Sequence, residues 1–206
     1  INALVILGLP FIAGSWKAFL NSIVDIAKKK WFALAAIGVF MLVLLIQLGY
    51  YKIATGSWIV YSYREEGFDF MNPHVWEMLF SYRKGLFLYT PIYLISFIGL
   101  VVLWKSKDRF RVGGWLIFFL VLTYIFSSWW MWYYGGSFSS RVYVDYLPFF
   151  LLLLGIGFHN WRKLWPGWTL RIVTVLLILL CQIQIYQYRY GQIHVSDTTK
   201  EQYWNN

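Results

Sequence analysis

Six long runs in which apolar residues dominate every face alternate with polar connectors along the chain: 1–15, 31–50, 86–104, 112–130, 146–158 and 170–186. A helix needs about 20 such residues to cross the hydrocarbon core of a bilayer; the first and fifth runs are shorter. Strands of a membrane barrel would be about ten residues long and strictly alternating, and these runs do not alternate. The pattern predicts an all-α polytopic transmembrane helical bundle of about six spans, forming a single membrane domain over 1–206. Two connectors carry periodicities of their own. Leu20, Ile23, Val24 and Ala27 recur at i, i+3, i+4, i+7 while Lys17, Asn21, Asp25 and Lys28 fall elsewhere. This fits an amphipathic helix on a bilayer surface or a plain basic connector equally well. Connector 51–85 is the one long loop. In it Asn72 can cap orphan amides and Pro73 has no amide to lose, and Val75, Met78, Leu79 and Tyr82 share a face, so a short interfacial helix is predicted over 73–82. The polar tail 187–206 is too short to fold alone and is expected to lie on the outer surface or fray.

Composition supports that class. Hydrophobic residues make up 60% of the 206 and charged residues 13%, more apolar surface than a soluble domain of this size can bury. Connectors 16–30, 105–111 and 159–171 hold eleven Lys or Arg against two Asp, while the other connectors and the tail balance at seven of each sign. The whole net charge of +9 therefore falls on alternate connectors. The positive-inside rule makes those cytoplasmic, which places loop 51–85, the 127–145 connector and both chain ends on the side away from the cytoplasm. The basic balance thus reports topology, and no nucleic-acid partner is expected. The chain opens on Ile1 inside an apolar run without the basic region of a signal peptide, so further spans are expected upstream. Cys181 is alone and inside an apolar run, which allows no intrachain disulfide. His74, His159 and His194 are scattered, no phosphate loop, triad order or zinc spacing is present, and neither a cofactor nor a metal is expected.

Candidate chemistry concentrates between the fourth and fifth runs, in Ser127-Ser128-Trp129-Trp130-Met131-Trp132-Tyr133-Tyr134-Gly135-Gly136-Ser137-Phe138-Ser139-Ser140-Arg141, followed by Asp145 and Pro148. Aromatics suit a membrane–water boundary, Gly-Gly permits close backbone approach to a ligand, and Arg suits planar oxyanions such as phosphate. An aromatic belt accounts for the Trp and Tyr residues but leaves Gly-Gly-Ser-Phe-Ser-Ser-Arg unexplained. Trp130, Gly135, Gly136, Ser137, Arg141 and Asp145 are therefore candidate substrate-binding residues, and the hydroxyls of Ser137, Ser139 and Ser140 are expected to bring donors around an anion. At i, i+4, Arg141 and Asp145 also have the spacing of a simple intrahelical salt bridge. Glu65, Glu66, Asp69 and His74 form a secondary candidate group in the long loop, where aromatics interleaved with carboxylates suit a sugar or a cation as well as a solvated loop.

The order Trp-Trp-x-Trp-Tyr-Tyr-Gly-Gly-Ser-Phe-x-x-Arg with Asp145-x-x-Pro148 resembles the late-loop motif of bacterial membrane glycosyltransferases related to protein O-mannosyltransferases, which have the multi-span GT-C fold. Lys84-Gly85-Leu86-Phe87-Leu88-Tyr89-Thr90-Pro91 resembles the family's entry into the preceding span. Gly49-Tyr50-Tyr51-Lys52-Ile53-Ala54-Thr55-Gly56-Ser57 is similar to the start of its outer loop. The resemblance covers about residues 45–155, and Gly-Gly-Ser-Phe…Arg is its most specific element. Ser139-Ser140 depart from the family's more usual Gly followed by a small residue or Pro. The resemblance implies sugar transfer from a polyprenyl-phosphate carrier to an acceptor on the outer face, with an acidic residue of the first outer loop as base. No residue here matches that base, so the chain is expected to supply the donor-lipid and phosphate side, as the C-terminal portion of a larger protein. The expected partners are membrane lipid, a polyprenyl-phosphate sugar donor and other membrane subunits. The alternative reading is a non-catalytic integral membrane subunit of a larger assembly. A transporter fits less well, because only Pro10 and Pro91 offer breaks in the spans.

Overall fold

A computed structural model describes residues 2–60, 66–160 and 167–205. The chain divides into two compact units, one formed by residues 1–12 and 68–206 and the other by 13–67. Among the described residues the fold is helical, and the one pairing of extended backbone is an isolated antiparallel bridge between Phe68 and Trp129.

The first apolar run is not one helix. A 3₁₀ turn over Asn2–Gly8 leads into α1 (Leu9–Ala13), and Gly14 at φ +77° then ends it. In the smaller unit, Ser15 caps α2 (Trp16–Lys28) by accepting from the Ala18 amide at 3.1 Å. Lys29 interrupts the helix with non-helical backbone before α3 (Lys30–Thr55). None of the most apolar window of α3 is buried against protein. A helix apolar all round needs lipid or another protein to cover it.

The larger unit continues with α4 (Val75–Phe80), α5 (Leu86–Tyr89), α6 (Ile92–Ser96), α7 (Ile98–Lys105) and α8 (Arg109–Ser127). A 3₁₀ helix over Arg141–Tyr146 precedes α9 (Leu147–Asn160), then come α10 (Gly167–Arg189) and α11 (Lys200–Trp204). The third apolar run, expected as a single span over 86–104, is thus broken. Pro91 has no amide to donate and disfavours helical backbone in the residue before it, and Thr90 sits at φ −133°, ψ 65°. Within the segment expected to be helical over 73–82 a shorter helix forms, flanked by His74 and Ser81 as caps. Among the described residues four helices are long and apolar enough to cross a membrane, or five where Leu4–Ala13 and Trp16–Lys28 count as one broken span, against the six expected. By length and composition this is an integral membrane protein.

The core of the larger unit is aromatic. Trp115, Phe118, Phe119, Leu122 and Phe126 of α8 pack against Tyr143, Tyr146, Phe149, Phe150 and Leu153, with edge-to-face pairs such as Trp115–Phe150 at 5.3 Å. Between α7 and α9 the approach is close enough that a Cβ on Gly99 would lie 2.0 Å from the Leu153 carbonyl oxygen. Small residues allow such approach where lipid supplies no hydrophobic drive between helices.

Candidate functional site

The connector after α8 is assembled with two other parts of the larger unit. Its first residues pair with the loop before α4: the Asp69 amide donates to the Ser128 carbonyl at 2.7 Å and the His74 amide to the Ser127 carbonyl at 3.0 Å. Rings close the same seam. Phe68 lies edge-on to Trp129 at 4.8 Å and stacks on Phe70 at 5.3 Å, and the Tyr124 hydroxyl donates to the Phe70 carbonyl at 2.8 Å. His74 stacks on Trp132 at 5.7 Å.

Two of the secondary candidates, Asp69 and His74, have local partners. The Asp69 carboxylate accepts from the Met71 amide at 3.1 Å, closing a local turn, and His74 Nδ1 stands 4.0 Å from Glu77. Glu66 belongs to the smaller unit, and Glu65 lies outside the described residues. Among the described residues no group of three or more His, Cys, Asp or Glu is arranged to hold a metal ion.

The Gly-Gly turn has unusual backbone. Tyr134 at φ +52° and Gly135 at φ +68° are consecutive left-handed residues, and Ser139 follows at φ +55°. Only Gly takes that region without cost, so Gly135 belongs to the turn itself, while Gly136 is simply exposed. Ser139 and Ser140, expected to turn hydroxyls toward an anion, are buried and committed elsewhere. Ser140 donates to the Lys84 carbonyl at 2.7 Å, sharing that proton with Met78, and the Ser139 hydroxyl meets that of Thr90 at 3.2 Å. Ser137 remains half-buried, with a long 3.4 Å bond to the Ser139 carbonyl, and Trp130 is half-exposed.

Lys84 organises this loop from beneath. Only 2% of the residue is exposed, and its ammonium donates to the carbonyls of Ser137 and Val195. Since Ser140 bonds the Lys84 carbonyl, this one residue holds both ends of the 137–140 turn. Burial, then the charges of Arg83 and Arg141, push the ammonium down to about 8, with Asp197 opposing them. Over its described residues, 187–205, the tail is therefore held rather than frayed. Arg83 donates to the Ser196 carbonyl at 2.9 Å and pairs with Asp197 at 2.6 Å, its guanidinium 3.4 Å above the Tyr133 ring. Tail helix α11 has a capping box from Thr199 and Gln202, and Trp204 donates to the Tyr82 hydroxyl at 3.2 Å.

Arg141 and Asp145 are both exposed and, among the described residues, neither forms an ion pair within 4.0 Å. The i, i+4 salt bridge requires α-helical stacking. Here the segment is 3₁₀, where three residues make a turn and position i+4 points about 120° away from i. The result is a small cationic neighbourhood of Arg83, Lys84 and Arg141. Arg83 is tied to Asp197 and Lys84 is buried, which leaves Arg141 as its exposed charge. A sequence reading that places charged residues in solvated connectors misses Lys84, because a lysine beside an apolar run looks like a span boundary. Its carbonyl partners lie 53 and 111 residues away.

No family model, curated protein or solved structure matches this chain.

Proposed function

We propose that this chain forms the donor-lipid side of a membrane glycosyltransferase, which moves a sugar from a polyprenyl-phosphate-linked donor to an acceptor at the extracytoplasmic face. The observation that supports this reading is Arg141, an exposed guanidinium following a left-handed Gly135 turn and electrostatically coupled to a buried Lys84. A cation with no ion pair among the described residues, beside apolar helices, favours an anionic partner, and a guanidinium matches a phosphate with two parallel bonds. In the transfer, the bond between the sugar's anomeric carbon and the phosphate oxygen breaks. The bond from the acceptor oxygen to that carbon forms, and the lipid phosphate leaves carrying the extra negative charge. Arg141 stabilises that charge as it develops, while half-exposed Trp130 lies alongside the lipid. The resemblance assigns the acceptor's proton to an acidic residue of the family's first outer loop, so the role proposed here is leaving-group stabilisation.

The test is sugar transfer from a polyprenyl-phosphate donor by the full-length protein and its variants, compared at equal membrane insertion. Arg141→Ala loses a charge-assisted contact of about 1.5–3 kcal/mol, a fall of roughly 10- to 150-fold in turnover per donor bound. Arg141→Lys keeps the charge without the fork and falls in between. Full turnover by Arg141→Ala removes the phosphate role. No transfer by the wild-type protein, together with stable co-purification with other membrane subunits, favours the non-catalytic subunit.

A further inference from the structure

Outside the site just described, α2 and α3 have no buried residue, and of the two α2 has an apolar surface confined to one side. At 100° per residue, Trp16, Phe19, Leu20, Ile23, Val24, Ile26 and Ala27 fall within an arc of about 160°. Lys17, Asn21, Ser22, Asp25 and Lys28 fill the remainder. No residue of α2 is buried, and Leu20, Ile23, Val24 and Ile26 are 55%, 48%, 48% and 61% exposed. Trp16 meets Phe19 edge-on at 5.8 Å, so aromatic bulk gathers at the start of the apolar face. Lys17 and Lys28 border one edge of the apolar arc, and Lys29 and Lys30 follow directly. The one acid, Asp25, is already paired with Lys28 at 3.3 Å. Lys29 then breaks the helix, and α3 begins at Lys30 as a membrane-length apolar helix uncovered by protein.

We propose that α2 is an interfacial helix that docks on an anionic phospholipid surface, with its apolar arc among the acyl chains and its lysines among the headgroups. Three features select lipid over a protein groove. The helix leads directly into α3, so its C-terminal end is fixed at a membrane boundary wherever α3 crosses. Its basic residues sit at the edge of the apolar arc and at the α3 junction, where long side chains can reach headgroups while their stems stay in apolar surroundings. The charge is complementary, because four lysines against one aspartate, itself paired with Lys28, leave a net charge of +3. A lysine close to an anionic leaflet strengthens membrane association by about fivefold, so the docked state depends on lipid charge as well as on apolar contact. The inference is independent of the glycosyl-transfer reading, since it concerns only the 13–67 unit.

The experiment uses the full-length protein in lipid nanodiscs, either purely zwitterionic or containing anionic phosphatidylglycerol. Nitroxide labels are placed at Ile23→Cys on the apolar arc and Asn21→Cys on the polar face, with signal from the buried Cys181 subtracted using the parent protein. Collision rates are read with oxygen, which concentrates in lipid, and with a water-soluble nickel chelate. Docking predicts that position 23 favours oxygen severalfold over position 21, and that this contrast grows with anionic lipid. Replacing Lys17, Lys28, Lys29 and Lys30 by Gln should abolish the dependence on lipid charge while leaving α3 inserted. Shielding of position 23 from both reagents places α2 in a protein groove or against a second copy and overturns the proposal. Equal nickel access at 21 and 23, or a contrast independent of lipid charge, also overturns it.

Discussion

Replacing Lys84 by Met tests the claim that one buried ammonium fixes both the Gly-Gly connector and the C-terminal tail. Met keeps the length and apolar stem of lysine but removes the donors that reach Ser137 and Val195. A hydrogen bond from a charged donor contributes about 1.5–3 kcal/mol net. Opening of either segment should therefore become roughly 10- to 150-fold more frequent. Hydrogen–deuterium exchange in detergent or nanodiscs reads this directly, with faster exchange expected at 137–140 and 193–198 and little change along α8. The pH dependence adds a second signature. Held in place, Lys84 titrates near 8; released into solvent, it titrates near 10.4. Between those values opening takes up a proton. The closed state therefore gains stability as pH rises from about 8 toward 10, and that gain is lost as pH falls through 8, with a slope of at most about 1.4 kcal/mol per pH unit. After correction for intrinsic exchange, this slope should be present in the wild-type protein and absent in the Met variant. Unchanged exchange in both segments would refute the clamp.

Gly99→Ala places a methyl group 2.0 Å from the Leu153 carbonyl oxygen, whereas Gly157→Ala meets its nearest neighbours at 3.4 Å. The first should lower thermal stability by about 1–3 kcal/mol and the second by much less; equal melting temperatures would contradict the close approach of α7 and α9. Tyr143→Phe removes a fully buried hydroxyl that donates to Thr123 at 2.8 Å, and calorimetry should register a loss of about 0.5–1.5 kcal/mol.

How much of this was legible in the sequence depends on the range of the interaction involved. Helices α3, α8, α9 and α10 follow from runs of apolar residues, because helix formation and membrane length are local properties. The long loop's short helix was visible from the spacing of Val75, Met78 and Leu79, but it starts after His74 and is not capped by Asn72 as its sequence suggested. The break at Thr90-Pro91 outweighed the continuous hydrophobicity of 86–104, a local steric effect stronger than the apolar pattern. The salt bridge that the spacing of Arg141 and Asp145 allowed requires an α-helix, and the backbone there is 3₁₀. Lys84 and the docked tail were beyond reach, since their bonds join residues more than fifty positions apart and no periodicity encodes them. The serines of the connector show the same limit. Their spacing suggested an anion cradle, while Ser139 and Ser140 spend their hydroxyls holding the loop to Thr90 and Lys84.

Binding of a polyprenyl phosphate tests the central claim most directly, because it isolates the charge at Arg141 from any step of catalysis. The full-length protein in nanodiscs would be titrated with a photoreactive polyprenyl phosphate, with the phosphate-free polyprenol as control. The account predicts that the phosphate is the main source of affinity, that Arg141→Ala weakens binding roughly 10- to 150-fold, and that Asp145→Asn, at an exposed position without an ion pair among the described residues, changes it little. Equal capture of polyprenol and polyprenyl phosphate, or undiminished phosphate binding by Arg141→Ala, would contradict it.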